Sequence, residues 1–129
     1  MDFGFSSDVR LKSGWQFDLV FRTGRREMGC LVRIFFLDAP DSHTRVGVTV
    51  GRKIANAVNR ARGRRMLRES FRRLLPWIKD GVWIVGSLRE SALDLTAPDI
   101  YLDTARSLKR RGLLRADFPG TNWNVDRAG

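Results

Sequence analysis

Between Gly51 and Arg73 the chain reads GRKIANAVNRARGRRMLRESFRR, in which Arg52, Lys53, Arg60, Arg62, Arg64, Arg65, Arg68, Arg72 and Arg73 face a single acid, Glu69. A stretch this charged cannot be buried whole. It must fold as an element that turns one narrow apolar side to a core and leaves the rest in solvent. A helix over residues 56–75 does this. At about 100° per residue, Gly63, Leu67, Phe71 and Leu74 fall within roughly 80° of one another, and Arg65, Arg68 and Arg72 gather on a neighbouring flank. Pro76 ends the helix. The run holds +8 of the chain's net +10. Solvated helix faces normally interleave Glu with Lys at four-residue spacing, whereas one acid among nine bases repels itself unless a polyanion is present. All but one of the nine are Arg, whose planar fork binds phosphate bidentately. The pattern predicts a nucleic-acid partner.

The remaining totals narrow the class. A chain of 129 residues, 43% hydrophobic and 29% charged, has the composition of one globular domain with a real core. No apolar run approaches the roughly 20 residues that span a bilayer. The first ten residues, MDFGFSSDVR, lack a basic region followed by an apolar stretch, so a cytoplasmic protein is expected. Cys30 is the sole cysteine, which excludes an internal disulfide and a cysteine-based metal site. His43 lies in the polar string Asp41-Ser42-His43-Thr44 and reads as a solvated loop residue. Asp99 and Asp103 are four apart on a helix and read as a solvated face, since a two-metal site wants more acids. No His, Cys or carboxylate set suited to protein-based phosphodiester cleavage converges in the sequence.

Periodicity supplies the other elements. Ser13 with Gln16 three residues on is a capping box and Gly24 a stop, giving a helix over residues 14–23 with Phe17, Val20 and Phe21 on one face and Trp15 and Leu19 opposite. Residues 29–37 read as a strand, 38–43 as a turn, and 45–50 as an alternating strand with Val46, Val48 and Val50 on one side. The two are expected to pair as a hairpin whose other face carries Arg33, Phe35, Arg45 and Thr49. Residues 82–85 suit a strand buried on both faces, and residues 99–108 a last helix. The four Trp residues are expected to pack in the protein. Residues 116–129 lose all periodicity and read as a mobile tail, which leaves a single domain over residues 1–115.

The run from Lys53 to Glu69, K-x-A-N-A-V-x-R-x-R-x-R-R-x-x-R-E, resembles the signature of the bacterial ribonuclease P protein component. The likeness is collinear over about residues 11–114. It takes in Phe17, Phe21, Arg22 and Gly24, an aromatic strand position at Phe35, the segment Arg45-Val46-Gly47-Val48-Thr49-Val50, then Arg52 and Lys53, the Arg-rich helix, a buried strand and a last helix. In two places the chain departs from the pattern: Ala61 stands where the family has Asn between two Arg residues, and Gly63 where it has an aliphatic residue, at about 1 kcal/mol of helix propensity relative to Ala.

That resemblance implies an α+β fold with about four strands packed against three helices, in the order helix-strand-strand-strand-helix-strand-helix, with a left-handed βαβ crossover around the basic helix. The strand preceding that helix is expected as a third strand or an extended arm. The resemblance further implies a heterodimer of one protein with one ribonuclease P RNA, in which the RNA and its Mg²⁺ remove the 5′ leader of precursor tRNA and the protein alone holds no cofactor. Neither membrane nor DNA is an implied partner. The RNA subunit would be bound by Arg52, Lys53, Asn56, Arg60, Arg62, Arg64, Arg65, Arg68 and Arg72. The leader would lie in a cleft formed by Phe17, Phe21, Arg33, Phe35, Arg45, Thr49 and Lys53. A ribosomal or other structural RNA-binding protein of similar fold, and a nuclease acting without RNA, are the competing readings.

Overall fold

The computed structural model of the chain describes residues 9–123. Helix α1 spans Gly14–Thr23 and opens with the expected capping box, the Gln16 carboxamide oxygen accepting from the amides of Lys12 (2.8 Å) and Ser13 (3.0 Å). Strands β1 (Arg25–Met28), β2 (Val32–Asp38) and β3 (Arg45–Thr49) follow. Helix α2 covers Ala57–Leu74, its first turn closed by the Asn56 side chain, which accepts from the Asn59 amide at 2.9 Å. A 3₁₀ turn over Leu75–Trp77 contains the helix-ending Pro76. Strand β4 (Val82–Leu88) and helix α3 (Ala97–Arg110), capped by Thr96 with Asp99, complete the order.

The sheet runs β1-β2-β4-β3, with β4 antiparallel to β2 and parallel to β3. The hairpin expected between residues 29–37 and 45–50 does not form, because β4 lies between them. An almost wholly buried strand, Val82 to Gly86, belongs at the centre of a sheet and not at its edge, so β2 and β3 become its flanks. The third strand precedes the expected pair instead of following it. Residues 51–55 form a turn, and Arg25–Met28, too polar to alternate visibly, adds to the outer edge of β2.

Both faces of the sheet are covered. Helices α2 and α3 bury Val32, Ile34, Phe36, Val46, Val50, Ile84 and Leu88 beneath Leu67, Phe71, Leu74, Ile100, Tyr101 and Leu108, each fully buried side chain contributing about 1.5–3 kcal/mol. On the opposite face α1 packs Val20 and Phe17 over Trp83, Val85, Phe35 and Leu37. Gly63 marks the closest approach of α2 to the sheet: a Cβ there would sit 2.9 Å from Leu88 Cδ2 and 3.0 Å from Val50 Cγ2. Its cost in helix propensity is the condition of that contact.

Three further expectations are overturned. Asp103 is not on a solvated face. Its carboxylate is buried and accepts from the backbone amides of Leu31 (2.9 Å), Val32 (3.0 Å) and Cys30 (3.2 Å), fastening α3 to the turn between β1 and β2. Within the segment read as a mobile tail, Phe118 packs edge-on to Trp77 and Trp123 to Tyr101, while the Asn122 amide donates to the Tyr101 hydroxyl at 3.1 Å. Isolated aromatics at irregular spacing have found separate docking points, a pattern that no periodicity reveals. Residues 124–129 of that segment lie outside the described residues. Trp15, third, is 62% exposed and touches Trp83 with only part of its ring.

Candidate nucleic-acid interface

The arginines of the basic stretch divide into two groups by what they touch. Arg60 donates to the Ala55 carbonyl (2.9 Å), and Arg62 donates to the carbonyls of Leu93 (2.9 Å) and Leu95 (3.2 Å), tying the start of α2 to the segment before α3. Arg72 and Arg73 both pair with Glu69, and Arg73, itself buried, stacks on Trp123 at 3.3 Å from the ring centroid and donates to its carbonyl. Hydrogen bonding from Arg72, and then the charges of Arg72 and Arg73, hold the Glu69 carboxyl below the ordinary carboxylate range. Asn56 serves as helix cap. Arg65 and Arg68 on α2, with Arg52 and Lys53 on the turn before it, are exposed, Arg64 is half-buried, and none of the five has a hydrogen-bond or ion-pair partner among the described residues. Guanidinium groups held apart from acids are the ones able to take a phosphate without first breaking an internal bond.

Beside this face lies an aromatic groove. Across the sheet, Arg26, Phe35, Val85 and Gly47 form one row on the α1 side. Phe17 occupies the space a side chain at position 47 would need, since a Cβ there would fall 2.6 Å from its ring. Phe21, 40% exposed, sets its ring edge-to-face on Phe35, with centroids 4.9 Å apart. The next row holds Met28, Arg33, Ser87 and Thr49, with Arg33 and Met28 open to solvent. The expected cleft residues Phe17, Phe21, Phe35, Arg33 and Thr49 are thus brought to adjacent rows, and Lys53 sits on the turn that follows β3. Arg45 is not with them. It lies in the row of Trp83 and Leu37, beyond the aromatic row, and is ion-paired to Asp41 at 3.2 Å.

The groove has walls that the sequence did not mark. A cavity of about 360 Å³ is bounded by Arg10, Lys12, Phe17, Gly47, Val48 and Arg68, with Leu11 and Val46 at its base. Arg10 and Leu11 reach it by bridging to Val46 along the outer edge of β3, the Leu11 amide donating to the Val46 carbonyl at 3.1 Å. Gly47, a glycine inside an alternating strand, was the available signal, since such a position marks a close approach. Among the described residues no three His, Cys, Asp or Glu side chains come together, and no helix is long and apolar enough to cross a membrane.

A mixed four-stranded sheet with one helix on one face and two on the other, an arginine helix inside a parallel crossover and an aromatic groove beside it, defines a class of small basic α+β proteins. The family model for ribonuclease P matches residues 5–112. The ribonuclease P protein component of Symbiobacterium thermophilum is 36% identical over 110 residues, covering 84% of this chain and 95% of that protein. The RNase P protein from Thermotoga maritima has the same fold with a TM-score of 0.70 at 27% identity, covering 78% of this chain and 96% of that one. The Staphylococcus aureus RNase P protein, at 24% identity over 82% of this chain and 97% of that one, shares the fold with a TM-score of 0.73. The chain belongs to the ribonuclease P protein component family.

Proposed function

We propose that this protein binds the RNA subunit of ribonuclease P through the exposed bases at and before α2, and the 5′ leader of precursor tRNA through the groove beside them, as one protein with one RNA in the cytoplasm. The observation that carries this reading is that Arg68 of the basic helix lines the same cavity as Phe17 and Gly47. The arginine face and the aromatic groove therefore open onto each other, so one side of the protein can hold a folded RNA while an unpaired strand leaves it along the sheet. Stacking on Phe21 and Phe35 tolerates any base, and the neighbouring cations neutralise the backbone, which suits leaders of unrelated sequence. The RNA subunit with its Mg²⁺ supplies the cleavage chemistry. The protein's part is to fix the leader so that the scissile bond is presented in one register, a contribution of position and affinity.

Reconstitution tests it. The protein is mixed with a ribonuclease P RNA, and precursor-tRNA cleavage is followed at limiting Mg²⁺. Stimulation in the mixture alone is expected. RNA binding without stimulation would make this a structural RNA-binding protein, and cleavage without added RNA would make it a nuclease in its own right.

A further inference from the structure

A second basic surface lies at the opposite edge of the sheet from the arginine helix. Helix α2 packs over β3 and β4, whereas α3 packs over β2 and β1, and β1 is the outermost strand on its side. There Arg25 from the edge strand and Arg110 and Arg111 from the end of α3, all exposed, come together around Phe36 and Glu27. Arg25 and Arg111 both lie over the ring of Phe36, at 5.2 and 5.3 Å from its centroid, which bounds the separation of their guanidinium carbons at about 10.5 Å. Among the described residues one acid is paired with the group: Glu27, which meets Arg110 at 2.8 Å and Arg111 at 4.0 Å, while Arg110 also donates to the Ser107 hydroxyl at 3.1 Å. The Asp103 carboxylate nearby is turned inward and occupied by three backbone amides.

Two like charges held against one buried ring repel each other, and the ring's quadrupole and a single carboxylate offset only part of that. Glu27 brings one negative charge to three guanidinium groups, so the cluster keeps a net positive charge that a phosphate would offset. The arrangement differs from a solvated face in that the guanidinium groups are pre-positioned by a ring and not free to disperse, which lowers the ordering cost of binding phosphate. Strands are spaced about 4.8 Å apart, so β1 and β3 are about 14 Å apart before their flanking helices are added. A single strand would have to run across the outer surface of α2 and α3 to reach both surfaces, because the two helices lie side by side between them.

We propose that Arg25, Arg110 and Arg111 form a second phosphate-binding site, which holds an RNA segment distinct from the one on α2, so that the protein bridges two parts of its RNA partner. This rests on the reading of the partner as RNA.

The test uses the full chain with the RNA subunit of ribonuclease P. For the double variant R25Q/R110Q, the salt dependence of binding should flatten by about 1–2 in the log-log slope, with roughly tenfold weaker binding near 0.1 M salt. E27Q, which removes the carboxylate paired with Arg110 and Arg111, should bind several-fold tighter than the parent, a gain that loss of folding cannot imitate. Unchanged slope and affinity in both variants would overturn the site. To separate the two segments, a tethered hydroxyl-radical source is placed at Thr23→Cys, beside β1, or at Val58→Cys on α2, each in a Cys30→Ser background. Cuts in different RNA segments are expected. Cuts in the same segment, or none from position 23, would overturn the bridging. The double variant R65Q/R68Q serves as the control: if it leaves RNA binding intact, the reading of α2 fails, whatever the β1 edge does.

Discussion

Truncation of Phe21 separates the groove from the core more cleanly than any other single change. Phe21 is 40% exposed, so somewhat over half of its ring area is out of water. Scaling the roughly 1.5–3 kcal/mol for a fully buried Phe gives about 1–2 kcal/mol, and the edge-to-face contact with Phe35 adds about 0.5–1.5 kcal/mol. Phe21→Ala should therefore destabilise the free protein by about 1.5–3 kcal/mol. At roughly 3–5 °C per kcal/mol for a chain of this size, the fall in Tm is on the order of 5–15 °C, which leaves the variant folded at 25 °C if the parent has ordinary stability. Loss of one stacked base is worth about 1–3 kcal/mol, or roughly 5- to 150-fold in affinity. The assay is a pair of dissociation constants for the reconstituted enzyme, one for precursor tRNA carrying a leader and one for mature tRNA without it. The first should weaken by that factor while the second stays within about twofold. Phe71→Ala is the contrasting variant, since Phe71 is fully buried on the opposite face of the sheet; it should lose about 3–5 kcal/mol of stability and affect both tRNAs alike. Equal losses on both tRNAs for Phe21→Ala, or no loss on either, would refute the cleft.

The arginine face gives a second prediction: Arg65→Ala with Arg68→Ala should flatten the salt dependence of RNA binding by about 0.7–0.9 for each phosphate no longer neutralised, and an unchanged slope would show that face to be merely solvated. Asp103→Asn keeps the shape but turns an amide donor toward one of the three amides the carboxylate now satisfies. Urea unfolding should show a loss of about 1–3 kcal/mol with RNA binding by α2 unaffected, and a loss under about 0.5 kcal/mol would mean the bonds count for little. Glu69 is held below its ordinary pKa by Arg72 and Arg73, so the stability it contributes is complete above the unfolded carboxylate's pKa and is lost as pH falls through the lower folded value. Glu69→Gln should therefore flatten the acid limb of the stability-pH curve; a limb of unchanged steepness would remove Glu69 from acid unfolding.

Periodicity and charge are written along the chain, and what depends on them was legible there. The capping box of α1, the Gly63-Leu67-Phe71-Leu74 stripe, the helix end at Pro76, the doubly buried β4 and the concentration of arginine between Gly51 and Arg73 all follow from residues within a few turns of one another. The collinear motifs built on them pointed to the family. What the tertiary structure decided are the contacts between distant residues. The central place of β4 between β2 and β3 was set by competition among strands for partners, which no single strand's pattern contains. Asp103 reads as a surface acid until a turn 71 to 73 residues upstream offers it three amides. Arg62 looks like Arg65 in sequence, yet two carbonyls 31 and 33 residues away claim it, as Trp123, 50 residues away, claims Arg73. A charge count cannot tell a guanidinium already spent on the fold from one still open to a phosphate, because that depends on which carbonyl, carboxylate or ring the folded chain brings within reach.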